Sequence, residues 1–190
     1  MSDQEIRLRL KEIGRMFSEA SESAYVESVA AAAKMIGDAL GRGNKLLVFG
    51  NGGSAADAQH ICGELMVRFE RERRPLPAIA LTCDASVLTA CANDYSYAEV
   101  FARQIEALGV AGDVALGIST SGTSPNVIHG LETARSRRMV TILMTGPSKA
   151  TATGCDLVLS APGCNTARVQ ELHLASYHLI CELLDAQFSS

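Results

Sequence analysis

The stretch VALGISTSGTSPNVI, residues 114–128, decides the fold. Val114 to Ile118 is a short unbroken apolar run, the pattern of a strand covered on both faces. Pro125 then opens a helix running to about Arg137, since proline suits the first helical position and Ser124 before it suits the N-cap. Between strand and helix stand five hydroxyls, Ser119, Thr120, Ser121, Thr123 and Ser124, with Gly122 among them. One cap needs one hydroxyl. Five of them, beside free amides and the positive end of a helix dipole, describe a loop able to bind a phosphate without lysine or arginine. The alternative is a Ser/Thr-rich cap that binds nothing.

Working outward, the same strand–loop–helix unit recurs upstream. Lys45 to Phe49 reads as a buried strand, residues 50–54 (GNGGS) as a glycine turn, and Ser54 to about Glu70 as a helix. The turn is neither GxGxxG, with an acidic residue closing the next strand, nor a P-loop, with Lys-Ser/Thr following. A tight structural turn and a ligand loop both fit it. Further strands are expected at Ala78–Leu81, Val140–Met144 and Leu157–Leu159. Helical segments are expected at 85–92, at 97–108 and from Ala167 to Phe188. Two helices precede all of this: residues 3–23, with Ile6, Leu10, Ile13, Phe17 and Ala20 at helical spacing, and Tyr25 to Leu40, stopped by Gly41 and Gly43. Strands alternating with helices imply a parallel sheet of about five strands in a three-layer α/β sandwich. The chain then reads as one domain, 1–190, with helices 1–41 contributing to oligomerisation and 42–190 forming the core. Ligands of such sheets bind beyond the carboxyl ends of the strands, which selects the loops after Phe49 and Ile118.

Composition narrows the function. Of 190 residues, 47 % are apolar and 20 % charged, an ordinary globular balance, and the formal net charge of −4 argues against a nucleic-acid-binding face. The one basic cluster, Arg68, Arg71, Arg73 and Arg74, is interleaved with Glu70 and Glu72 and reads as a solvated helix end or a partner-facing patch. No apolar run reaches the roughly 20 residues that span a bilayer, so no membrane partner is expected. The first residues are polar and charged, unlike a secretory signal. Six cysteines without a CxxC pair read as free thiols in a reducing cytoplasm.

The remaining chemistry lies on two helices. His60 and Glu64 stand at i and i+4, on one helical face near the ligand edge of the sheet. They suit a metal, a proton transfer, or a plain surface pair. The last helix carries Gln170, Glu171, His173 and His178. Gln170 and His178 lie about 80° apart around the helix and about 12 Å apart along it, so spacing alone does not make them co-ligands. His173 reads as a buried or interface histidine.

Four segments, Gly50–Glu64, Asn93-Asp94, Gly117–Val127 and Arg168–His178, resemble the SIS (sugar isomerase) domain family, and within it the bacterial phosphoheptose isomerases. The resemblance implies a flavodoxin-like sheet, a homotetramer, and active sites built between subunits. It implies isomerisation of sedoheptulose 7-phosphate to D-glycero-D-manno-heptose 7-phosphate through an enediol, for surface-polysaccharide heptose. It also implies one zinc per subunit held by His60, Glu64, Gln170 and His178, with Glu64 and His178 transferring protons. By the same resemblance the phosphate lies at Ser119, Thr120, Ser121 and Ser124. The sugar lies near Asn51, Gly52, Gly53, Glu64, Asn93, Asp94 and Gln170. Asp94 fits an N-cap for the next helix equally well. One departure stands out: where some family members carry an acidic residue implicated in catalysis, this chain has Ala167.

Two other readings share the fold. One is a tetrameric SIS protein that binds a replication initiator without catalysis; its pattern lacks the counterparts of Glu64 and His178, both present here. The other is a sugar-phosphate sensor, which is usually fused to a DNA-binding segment.

Overall fold

The computed structural model describes residues 2–147 and 154–189. Five parallel strands, β1 (Leu46–Gly50), β2 (Ala78–Ala80), β3 (Val114–Ser119), β4 (Val140–Thr145) and β5 (Leu157–Ser160), form one sheet in the order β2-β1-β3-β4-β5. That is the flavodoxin-like order, in which the chain reverses its winding direction between β1 and β3. The helices are α1 (Asp3–Ser21), α2 (Tyr25–Gly41), α3 (Gly53–Met66), α4 (Ala85–Asp94), α5 (Ala102–Leu108), α6 (Pro125–Ser136) and α7 (Thr166–Phe188), with a 3-10 turn at Tyr97–Glu99.

Alternate strand residues point to opposite faces, which builds two cores. On one face Leu46, Val48, Leu116, Ile118 and Met144 pack with α2, α3 and α7. On the other, Leu47, Phe49, Ala115 and Leu143 pack with α5 and α6, where Phe49 and Phe101 lie 5.2 Å apart between ring centroids. The continuous burial of β1 and β3 follows from this double cover. At the amino ends of these two strands, buried Asp113 holds Lys45 Nζ at 2.6 Å, which pins the pair. The opposite, carboxyl ends are left for ligands.

α1 opens with a capping box between Ser2 and Glu5 and buries only Ala20, leaving Ile6, Leu8 and Leu10 exposed.

Several expectations need correction. α3 stops at Met66 rather than near Glu70, and the reason lies in the basic cluster. Arg73 is no solvated helix end: it is buried, its guanidinium hydrogen-bonding the terminal α3 carbonyls of Glu64 (2.7 Å) and Leu65 (2.8 Å). Asp185 on α7 accepts from Arg73 Nε and from the Glu70 and Arg71 amides, each at 2.8 Å, fixing an extended segment where helix was expected. The 97–108 segment splits into the 3-10 turn and α5. Asp94 ends α4 and caps nothing ahead of it, since Ser96 precedes the 3-10 turn. Two of the six cysteines, Cys83 and Cys164, are exposed, and all six are free thiols.

Candidate active site

The loops after β1 and β3 flank the winding reversal, where a flavodoxin-like sheet opens a crevice. In the first loop Gly52 has φ +57 and ψ −120, a conformation that strains any residue with a Cβ. Gly53 follows, and a Cβ there would meet the Gln170 side-chain amide. Glycine at 53 therefore lets α7 bring Gln170 against the start of α3.

The second loop keeps its hydroxyls together. Ser119 Oγ lies 2.9 Å from Ser124 Oγ and 3.4 Å from Ser121 Oγ, and the Thr123 amide and hydroxyl both donate to Ser121 Oγ. Ser124 occupies the N-cap position, yet its side chain caps no amide; it turns to Ser119 instead. The expected cap is thus positional only, and the hydroxyl joins the cluster at the amino end of α6. Thr120 contributes its carbonyl, which accepts from the Gly146 amide at 3.0 Å.

Asn126, in the first turn of α6, was not singled out by sequence. It is buried and exchanges two hydrogen bonds with Asn51: Asn51 Nδ2 donates to Asn126 Oδ1 at 2.8 Å, and Asn126 Nδ2 to Asn51 Oδ1 at 2.9 Å. The Tyr97 hydroxyl donates to the same Asn51 oxygen at 2.9 Å. The two ligand loops are therefore stitched together. Asn93 and Asp94 are exposed at the end of α4, hydrogen-bonded to each other at 2.8 Å.

Away from these loops, α3 and α7 bring His60, Glu64 and His178 together, with one ligand atom from each lying within 4.8 Å of the others. His60 Nε2 is 2.9 Å from Glu64 Oε1 and 3.5 Å from His178 Nε2. Metal–ligand bonds of about 2.0–2.1 Å at tetrahedral angles separate neighbouring donor atoms by roughly 3.3 Å, so this N/O/N set fits a divalent metal. His178 is held below the usual imidazole range, first by burial and then by the His60 ring, with Glu64 pulling the other way. A neutral imidazole is the form that ligates. Gln170, two turns earlier on α7, rests its amide over Gly53. The cluster is open on this chain, with 42 % of the His60 side chain exposed.

His173 stays outside the cluster: it is fully buried and reaches the Thr145 carbonyl at 3.2 Å. Ala167 is exposed in the first turn of α7, lining a cavity of about 770 Å³ against α1.

The SIS domain model matches residues 10–146. A phosphoheptose isomerase of Maridesulfovibrio salexigens is 53% identical over 162 residues, covering 85% of this chain and 79% of that one. The structure of phosphoheptose isomerase from Neisseria gonorrhoeae superposes with a TM-score of 0.89 at 40% identity, covering 96% of this chain and 98% of that one. A phosphoheptose isomerase from Francisella tularensis gives 0.91 at 37% identity, covering 98% and 100%. The family model spans both ligand loops and the His60–Glu64 pair, and these superpositions extend the match through α7, which carries His178. This chain belongs to the SIS domain family, among the phosphoheptose isomerases.

Proposed function

We propose that this protein isomerises sedoheptulose 7-phosphate to D-glycero-D-manno-heptose 7-phosphate, a precursor of surface-polysaccharide heptose. The observation that carries this reading is the convergence of Glu64 with two histidines from α3 and α7, in a chain whose hydroxyl-lined loop lies at the sheet's switch point. The phosphate binds Ser119, Thr120, Ser121 and Ser124 at the amino end of α6. Asn51, Gly52, Gly53, Asn93, Asp94 and Gln170 face the sugar hydroxyls.

The reaction moves hydrogen between C1 and C2. Glu64 takes a proton from C1, the electrons form the C1–C2 double bond of the enediol, and the C2 oxygen gains a proton. Return of a proton to C2 and loss of one from the C1 hydroxyl give the aldose. His178 works on the oxygens. A metal-bound nitrogen cannot also accept a proton, and Nε2 of His178 faces the cluster, which leaves Nδ1 for exchange. His60, Glu64, Gln170 and His178 would hold zinc. When bound, the metal supplies Lewis-acid stabilisation of negative charge on the sugar oxygens.

The protein acts as a homotetramer in the cytoplasm. The exposed apolar residues of α1 and the open face of the cluster support assembly, because enediol chemistry favours a site closed to water and this chain alone leaves it uncovered. No helix among the described residues is long and apolar enough to cross a membrane.

The test is exchange of the C1 proton into deuterated water with sedoheptulose 7-phosphate. Wild-type protein exchanges and turns over; Glu64→Gln, which keeps shape but loses the base, does neither while remaining folded. Wild-type protein that neither exchanges nor turns over would remove the isomerase reading. Normal exchange by Glu64→Gln would move the base elsewhere.

A further inference from the structure

One buried polar contact of α7 is not needed by the backbone group that it touches. His173 is fully buried, and its one hydrogen bond among the described residues runs from Nε2 to the Thr145 carbonyl at 3.2 Å. A carbonyl only accepts, so Nε2 carries the proton, and the buried Nδ1 has no partner among the described residues. That carbonyl already receives the Ala161 amide at 2.8 Å. The neighbouring inward positions of α7 are apolar: Val169 and Leu172 pack into the core with Ile118, Met144 and Ala161. A leucine at 173 would add to that core without burying an unpaired nitrogen, so the imidazole supplies direction rather than burial.

What lies beyond Thr145 gives that direction a use. Thr145 pairs with Ser119 across the β3–β4 ladder, and the next amide, that of Gly146, donates to the Thr120 carbonyl at 3.0 Å. Ser119 Oγ is the hydroxyl that meets both Ser121 and Ser124 in the cluster. One turn before His173, Gln170 rests its amide over Gly53 in the other ligand loop. We propose that His173 is a positioning residue for the hydroxyl loop: its hydrogen bond to Thr145 seats α7 against the end of β4 and, through Thr145 and Gly146, holds Ser119 and Thr120 in place for a phosphate. The same seating brings Gln170 to the glycine loop, so one helix sets the two loops relative to each other. His173 acts through the backbone alone. A hydrogen bond suits this task because it fixes an angle as well as a distance, and groups that bind a substrate lose affinity quickly when their support is loose.

This inference rests on the phosphate reading of that loop, so the Kd of inorganic phosphate is measured by calorimetry beside turnover of sedoheptulose 7-phosphate, with zinc content and urea unfolding recorded for each variant. His173→Leu keeps an apolar filling and loses the hydrogen bond. It should raise the KM and the phosphate Kd together, by roughly 3- to 10-fold, with kcat and zinc content within about twofold of wild type. His173→Gln, whose amide nitrogen can reach the same carbonyl, should restore both constants. Should the leucine variant not fold, His173→Asn, whose shorter amide cannot reach that carbonyl, takes its place with the same expectation. Unchanged KM and Kd in the folded loss variant, or a glutamine variant as weak as the leucine one, would overturn the proposal. So would loss of kcat and zinc with phosphate binding intact, since the effect would then lie at the α3–α7 cluster. Wild type that binds phosphate but does not turn over the ketose would remove the isomerase reading, and the phosphate Kd of the variants would then decide the proposal alone. Wild type that binds no phosphate would remove the loop reading and the proposal with it.

Discussion

Asn51 and Asn126, 75 residues apart in sequence, hold each other through both of their amide hydrogen bonds, at 2.8 and 2.9 Å. One sits in the glycine loop after β1 and the other in the first turn of α6. The pair thus bridges the winding reversal between β1 and β3 and fixes the distance between the loop assigned to the sugar and the loop assigned to the phosphate. Tyr97 adds a third hydrogen bond to the Asn51 oxygen, bringing the segment after α4 to the same point.

Asn126→Asp breaks this clasp with little change of shape. A carboxylate cannot donate to Asn51 Oδ1, and it places negative charge in the turn proposed to bind the phosphate. The expected loss is about 1–3 kcal/mol in kcat/KM, roughly 5- to 150-fold, mostly through KM. Steady-state kinetics beside a melting curve check it; an unchanged KM in a folded variant would show that the clasp is scaffolding only.

The hydroxyl loop is tested by Ser119→Ala combined with Ser121→Ala. Each lost charge-assisted bond to the phosphate should cost about 1.5–3 kcal/mol and raise KM accordingly. A non-phosphorylated ketose, if turned over at all, should be indifferent to the change, which distinguishes phosphate binding from damage to the loop.

The Arg73–Asp185 pair is predicted to matter for stability rather than for chemistry. Both side chains are almost completely buried, and Asp185 also receives two backbone amides. Burial alone would raise the Asp185 carboxyl; these amides and Arg73 outweigh it and hold the group below its ordinary value. Arg73→Ala leaves the carboxylate without its cation and should destabilise by about 3–5 kcal/mol in urea unfolding. The same variant frees the end of α3, where Glu64 sits, so activity should fall as well. A melting temperature within a degree of wild type would refute this account.

His173 gives a pH signature. Burial pushes this imidazole down to about 4, and the Thr145 carbonyl only partly offsets that. The folded state refuses a proton that the unfolded chain accepts below its ordinary pKa near 6.5. The neutral group's contribution is therefore fully present above about pH 6.5 and is lost as pH falls toward 4, by about 3 kcal/mol in all. Stability measured across this window should slope downward with acid, and His173→Gln should flatten the slope. An equal slope in the variant would assign the acid sensitivity to other groups.

Much of this was legible in the sequence because it is local. A short apolar run followed by hydroxyls, proline and a helical pattern specifies β3, its loop and α6 within fifteen residues. GNGGS does the same for β1 and α3, and the i,i+4 spacing of His60 and Glu64 places both on one face whatever lies around them. The alternation of such units requires a covered parallel sheet. What only the tertiary structure decided are the relations between units. The order β2-β1-β3-β4-β5 puts the two loops side by side, a consequence of the side to which each crossover packs. His178 reaches His60 across 118 residues because α7 packs along α3 in one register, set by interlocking side chains rather than by any residue pattern. The same register carries Tyr177 to His60 and Asp185 to Arg73, turning an arginine from an apparently solvated cluster into the buried cap that ends α3. Local sequence sets backbone preference and the face a side chain takes, while the partner on that face depends on how the layers close.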